Sequence, residues 1–344
     1  MTARTSRHVE GRRVAGGAAK FPGTFPGTIK APLDVSSLTG SADVVCKGKV
    51  VDLFEEGRVQ YLVGDAPMTF RRMVAFFHVD RVHKGTLSRP DIEIEFLDAD
   101  VPSSLERLGR LEYALVFLRR KKARCQFAHI TTSKMPIGLE PISALKERAS
   151  PLSNIRNALI RSLDDANEDV VLAAIEQLGK LKGTQSRVAL QPLAVARDPI
   201  RRGAAIAALL NGGDVTQVDP AVRVADALPE HPLREHIKGS IYSAVAALRD
   251  PAATGALLRA VRRKDRRLRY AAVRALRNIR SERTVPLLMK TLDDTDEDVR
   301  YQALMALADV TGRPEWGTAI DAFRRDEATY IGRWKAWWTR EHKR

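Results

Sequence analysis

Two short stretches of this chain are nearly the same. Leu163-Asp-Asp-Ala-Asn-Glu-Asp-Val170 and Leu292-Asp-Asp-Thr-Asp-Glu-Asp-Val299 stand 129 residues apart. That offset equals roughly four units of about 32 residues, the period at which helix pairs recur in stacked repeat proteins. Degraded copies lie between them: Asp198-Pro-Ile-Arg-Arg-Gly-Ala-Ala-Ile-Ala-Ala-Leu209 and Arg267-Leu-Arg-Tyr-Ala-Ala-Val-Arg-Ala-Leu276. Each copy has apolar residues at helical spacing and is followed by a second short helical segment, as in Thr284-Val-Pro-Leu-Leu-Met-Lys-Thr-Leu292. One such pair cannot bury its apolar face alone, so the pattern requires neighbouring pairs to stack into a continuous solenoid core. About five pairs are expected, beginning near Ser150-Pro151. Asp219-Pro220, Pro229 and His231-Pro232 should produce a kink or an irregular repeat over 213–240.

The period ahead of the repeats is different. Segments 42–51, 73–82, 91–97, 113–118 and 125–131 are β-branched or alternate in polarity, with Gly, Pro and Asp between them. In Asp91-Ile-Glu-Ile-Glu-Phe-Leu97 the alternation places Ile92, Ile94 and Phe96 on one face. Five short strands predict a small closed or partly open barrel. The chain therefore divides into a basic tail (1–32) expected to be flexible, a β-domain (33–148) and an α-solenoid (149–344). The fold class is a five-stranded OB-like barrel followed by an α-α superhelix, and each part is long enough to bury a core. At the far end Trp316, Phe323, Tyr330, Trp334, Trp337 and Trp338 are spaced to cover the last open repeat as an aromatic cap.

Particular residues carry two resemblances. Asp-x-x-Val-Arg-x-x-Ala-x-x-Ala-Leu, nearly complete over Glu297-Asp298-Val299-Arg300-Tyr-Gln-Ala303-Leu304-Met-Ala306-Leu307, resembles the short bacterial HEAT repeat, also seen in phycobilisome lyase-like proteins. The likeness spans 154–312. In the N-terminal part, Ala42-Asp-Val-Val followed by Gly48 and Val50, then Phe77-x-Val79-x-Arg81-Val82-x-Lys84-Gly85, then Glu112-Tyr113 leading to Leu118, is similar to the OB-fold, netrin-like domain related to tissue inhibitors of metalloproteases. Those inhibitors act through an N-terminal cysteine that this chain lacks, so protease inhibition is not implied. The HEAT resemblance implies a binding scaffold, with the second helix of each pair lining a concave surface.

No residue stands out as catalytic. GxSxG, Walker A, HExxH, CxxC and GxGxxG after a strand are all missing from the sequence. Cys46 and Cys125 read as two partly buried free thiols, although a bridge between the first and last strands is geometrically open. The acidic run 293–298 lacks the Gly and Glu of a calcium loop, and its recurrence at 164–169 fits helix capping. The expectation is a non-enzyme with no catalytic residue, cofactor or metal.

Charge is the feature that singles out a surface. Fifty-seven Lys and Arg oppose 42 Asp and Glu, for a net +15. Residues 259–283 alone hold eleven of the cations against Asp265 and Glu282. On a helical projection Leu268, Ala271, Ala272, Ala275, Leu276 and Ile279 form an apolar stripe, with Tyr270, Arg274 and Arg277 on the other side. Arg263, Lys264, Arg266 and Arg267 precede them in a loop. These seven residues are the candidate site, presented to an acidic protein partner, with phosphates of a nucleic acid bound independently of sequence as the alternative. A plain solvated face and an enzyme accessory with no visible site stay open as well. No run approaches the roughly 18 apolar residues of a membrane span. As it stands the N-terminus predicts a cytoplasmic protein, or an exported one if a signal peptide has been lost from the start.

Overall fold

The structure, a computed structural model, describes residues 34–63, 66–99, 105–130, 132–138 and 150–341. The tail 1–32 lies outside the described residues, and so does the junction at 139–149. The chain opens on helix α1 (Val35–Ser41), capped where Asp34 accepts from the Ser37 N–H at 2.7 Å. Six strands follow: β1 (Val44–Val63), β2 (Ala66–Lys84), β3 (Asp91–Ala99), β4 (Tyr113–Lys121), β5 (Arg124–Phe127) and β6 (Lys134–Pro136). Ladders join β1 to β2, β2 to β3, β3 to β5, β5 to β4, and β4 back to β1. The five expected strands thus curl round on themselves. The parallel β3–β5 ladder consists of just Ile94↔Cys125 and Glu95↔Gln126, so the ring is thin there.

Gly48 makes the ring geometry feasible. It lies where β1 is paired on both edges, and a Cβ there would sit 1.9 Å from the His78 carbonyl oxygen. β1 and β2 run well past the expected strand ends into a long hairpin. Its charged register, with Arg72 2.8 Å from Glu56, hides the alternation on which strand reading depends. Strand β6 pairs with β4 and was not expected.

Strand β4 is apolar from Ala114 to Leu118 because both of its faces are covered there. Ala114, Val116 and Leu118 point into the barrel with Cys46, Ile94 and Cys125. Leu115 and Phe117 point outward and pack with α1 and with helical residues Ile155, Leu159 and Ile175. Barrel and solenoid each have a cluster of their own, and a third cluster is shared between them. Lys84 secures this end, donating to the carbonyls of Thr39 and Ala42 at 2.6 Å each. It thereby satisfies the open C-terminus of α1 with a cation. Cys46 and Cys125 are both buried and free, and burial pushes both thiols up.

From Pro151 the chain is helical. Pairs α2 (Pro151–Arg161) and α3 (Glu168–Leu181), α4 (Thr184–Leu190) and α5 (Pro199–Asn211), and α6 (Val218–Ala227) and α7 (Arg234–Ala246) come first. They are followed by α8 (Thr254–Ala260) and α9 (Arg266–Ile279), α10 (Val285–Thr291) and α11 (Glu297–Val310), and a terminal α12 (Ile320–Arg325) and α13 (Glu327–Glu341). The longer helices α3, α5, α7, α9 and α11 pack successively against one another. Their N-termini are capped by Asn167, Asp198, Asp265 and Asp296, whose side chains accept backbone N–H bonds on α3, α5, α9 and α11. This accounts for the repeated Asx-rich runs. Of the kink or irregular repeat expected over 213–240, no kink is seen: Pro220 sits in the first turn of α6, where its missing N–H costs little, while Pro229 and Pro232 lie in the α6–α7 connection and α7 starts without a side-chain cap.

The aromatic C-terminus closes the stack. Trp334 is fully buried, with Trp316 and Trp337 edge-on to it at ring-centroid distances of 4.8 and 5.4 Å. The Arg313 guanidinium lies 5.0 Å over Trp316.

Candidate interaction groove

The seven candidate residues do not form one surface. Arg263 pairs with Asp226 of α6, on the short-helix side, and the carbonyls of Arg263 and Lys264 accept from Arg269 at 3.2 and 2.7 Å. Arg277 is half-buried and paired with Asp309 of α11. Arg266 reaches Asp296 at 3.3 Å and Arg267 reaches Glu235 at 2.9 Å. Beside them Arg259 meets Asp219 at 2.5 Å, and Arg269 is clamped to Asp294 by two contacts of 2.8 Å. Most of the guanidinium row thus faces carboxylates of adjacent repeats, which a count along the sequence does not see. These pairs tie one repeat to the next.

Four of the candidates do converge. Arg266, Arg267, Tyr270 and Arg274 line a depression of about 350 Å³ with Tyr242, Ser243, Asp296 and Asp298. The Tyr270 hydroxyl is held at 3.2 Å by the Gln302 amide, and Arg274 has no ion-pair partner among the described residues. The floor is fixed from beneath. The Tyr242 hydroxyl donates to Asp265 at 2.6 Å while that carboxylate also caps α9, accepting from the N–H groups of Arg267 and Leu268. Burial raises the Asp265 pKa, but these hydrogen bonds together with nearby Lys238 outweigh it and hold the carboxyl below its ordinary value.

A second, larger depression of about 640 Å³ adjoins the first at Ser243, which lines both. It crosses α3, α5 and α7. Its walls include the half-exposed Leu172 and Leu233, the small Ala204 and Gly239, and Asp169, Glu176, Lys180, Glu235 and His236. None of these was expected from the sequence. The available signal was weak: Leu172 and Leu233 break the rule that large apolar residues turn inward, and Gly239 sits inside a helix without a turn to explain it. Together the two depressions make a groove along the long-helix face, with an apolar floor and charges of both signs on its rim. Among the described residues no cluster of three or more His, Cys, Asp or Glu could hold a metal ion. No described helix is long and apolar enough to cross a membrane.

Residues 226–308 match the family model for HEAT repeats, and they lie within a helical-repeat region preceded by a β-domain. No curated protein matches the chain to a significant degree. Among solved structures, the complex of CpcE and CpcF of phycocyanin lyase from Nostoc sp. PCC7120 is 18% identical with a TM-score of 0.36, covering 53% of this chain and 72% of that one. A designed armadillo repeat protein is 19% identical with a TM-score of 0.32, covering 46% of this chain and 86% of its own. HEAT repeats suggest a scaffold for protein interaction.

Proposed function

We propose that the chain is a non-catalytic scaffold or adaptor that holds a segment of a partner protein along the groove of its long-helix face. The observation that carries this reading is the groove itself. Its floor of Leu172, Ala204 and Leu233 suits side chains, and its rim of mixed sign suits a polypeptide better than a phosphate backbone. A nucleic-acid surface needs an excess of free cations, and here Arg259, Arg263, Arg266, Arg267, Arg269 and Arg277 are already paired within the chain. The β-domain offers a second contact surface, where exposed Phe54 and Phe76 lie 5.5 Å apart on the β1–β2 hairpin beside exposed Val51.

The test is a selection of displayed random peptides on the full chain, repeated with Ser243→Trp, which fills the junction of the two depressions. Selected peptides should lose about tenfold or more in affinity for the variant. Random-sequence DNA, single-stranded or duplex, should bind weakly and fade at physiological salt. Tight DNA binding that persists at that salt, with no peptide enriched, would overturn the proposal in favour of nucleic acid.

A further inference from the structure

The rim of the groove is not evenly charged. Over α3, α5 and α7 it carries the carboxylates of Asp169, Glu176 and Glu235 against the single ammonium of Lys180. Over α9 and the start of α11 it carries the guanidinia of Arg266, Arg267 and Arg274 against Asp296 and Asp298. Internal pairing leaves this polarity in place. Glu176 holds Lys180 at 2.6 Å, and Glu235 and Arg267 tie the two halves together where they meet. Asp296 takes up Arg266, and Asp298 lies 3.4 Å from Arg324. What remains is a carboxylate at one end, Asp169, and a guanidinium at the other, Arg274. Both are exposed, and neither has an ion-pair partner among the described residues.

Between these ends one position of the lining has no side chain. Gly239 lies inside α7, and a Cβ built on it meets nothing within 4 Å. Alanine would fit there and would favour the helix, so internal packing does not account for the glycine. The glycine leaves the α7 backbone open to the larger depression.

Resting on the groove reading above, we infer that the occupant is a peptide segment of opposed charge. Its cationic half lies over α3, α5 and α7, and its anionic half lies over α9 and α11. Charge complementarity at both ends fixes the direction in which the segment lies, and a segment of one sign meets repulsion at one end.

The inference is tested by fluorescence anisotropy on the full chain with labelled peptides of equal length. One is lysine-rich, one is glutamate-rich, and two are block peptides with a lysine half and a glutamate half in either order. At about 0.15 M salt, one block order should bind about tenfold tighter than either single-sign peptide. Asp169→Lys should weaken the block and lysine-rich peptides and spare the glutamate-rich one, and Arg274→Glu should weaken the block and glutamate-rich peptides and spare the lysine-rich one. The chain's net charge of +15 supplies the competing outcome. If the glutamate-rich peptide binds tightest and Arg274→Glu leaves it unchanged, overall attraction explains the binding and the inference is overturned. If no block order is preferred while Ser243→Trp still abolishes binding of the selected peptides, the groove reading survives and the opposed-charge inference falls. If Ser243→Trp changes nothing, both fall.

Discussion

The Arg269–Asp294 pair is the sharpest test of whether the basic stretch is structural. Both side chains are nearly enclosed, at 12% and 11% exposure, and two 2.8 Å contacts join them. Arg269 also donates to the Lys264 carbonyl at 2.7 Å, and Asp294 accepts from the Asp296 N–H at 2.9 Å. Removing one partner of a buried pair leaves a charge without its counter-ion, at a cost of about 3–5 kcal/mol. Because the pair sits at the edge of the stack, the lower end, about 3 kcal/mol, is expected for Asp294→Ala. The Asp296 N–H bond is lost in the same variant, so a double-mutant cycle with Arg269→Met, which keeps the aliphatic stem, isolates the pair. Its coupling should be about 2 kcal/mol, the range of a charge-assisted, two-contact bond. The comparison pair is Arg266–Asp296, where the arginine is 62% exposed and the contact is 3.3 Å. Its coupling should stay below about 1 kcal/mol. Urea unfolding followed by far-UV circular dichroism gives both cycles, with m-values checked because stacked repeats can unfold in parts. Equal coupling for the two pairs would refute the reasoning and return these arginines to the pool available to a ligand.

Two glycines on the long helices α3 and α7 should respond oppositely to alanine. At Gly179 of α3 a Cβ would lie 2.7 Å from the Ala208 Cα and carbonyl oxygen, so Gly179→Ala should force α3 from α5 and cost about 1–3 kcal/mol. At Gly239 the space is open, so Gly239→Ala should stabilise by about 0.5–1 kcal/mol, and urea midpoints moving in the same direction would refute the packing described. Asp265→Asn retains a competent cap but removes the charge that Tyr242 and Lys238 favour. A carboxylate with a depressed folded pKa contributes stability above its ordinary value of about 4, and loses it as pH falls through the folded value. The variant should therefore melt lower than wild type at neutral pH and match it at about pH 2, whereas a gap independent of pH would contradict the assignment.

What the sequence revealed and what it hid follow from how far each signal reaches. The helix pairs were legible because each α-helix carries its own apolar stripe; in α9 the buried residues include Leu268, Ala271, Ala272, Ala275 and Leu276, all on the expected face. The strand series was legible for the same reason, since Ile92, Ile94 and Phe96 alternate within one segment. The outer half of the β1–β2 hairpin was not, because Glu55, Glu56, Arg58, Arg71 and Arg72 separate its apolar pairs Val59↔Phe70 and Tyr61↔Met68 from the inner strands. The shared core was invisible too. Leu115 and Phe117 look like ordinary strand residues until α2 and α3 are seen covering them.

The basic stretch shows the same limit in its strongest form. A window of sequence measures charge among residues close along the chain, yet in a solenoid the neighbours of a side chain lie one repeat away. The partners of Arg259, Arg267, Arg269 and Arg277 are Asp219, Glu235, Asp294 and Asp309, all outside the stretch that looked so strongly positive. The groove is hidden by the same geometry, because Asp169 and Arg274 belong to repeats far apart in sequence and share a surface only after stacking. Both ends of that stack are covered, one by the barrel through Leu115 and Phe117 and the other by Trp334. Covered ends leave the side of the stack to meet a partner, and on that side the charges left unpaired by neighbouring repeats are the ones a ligand can read.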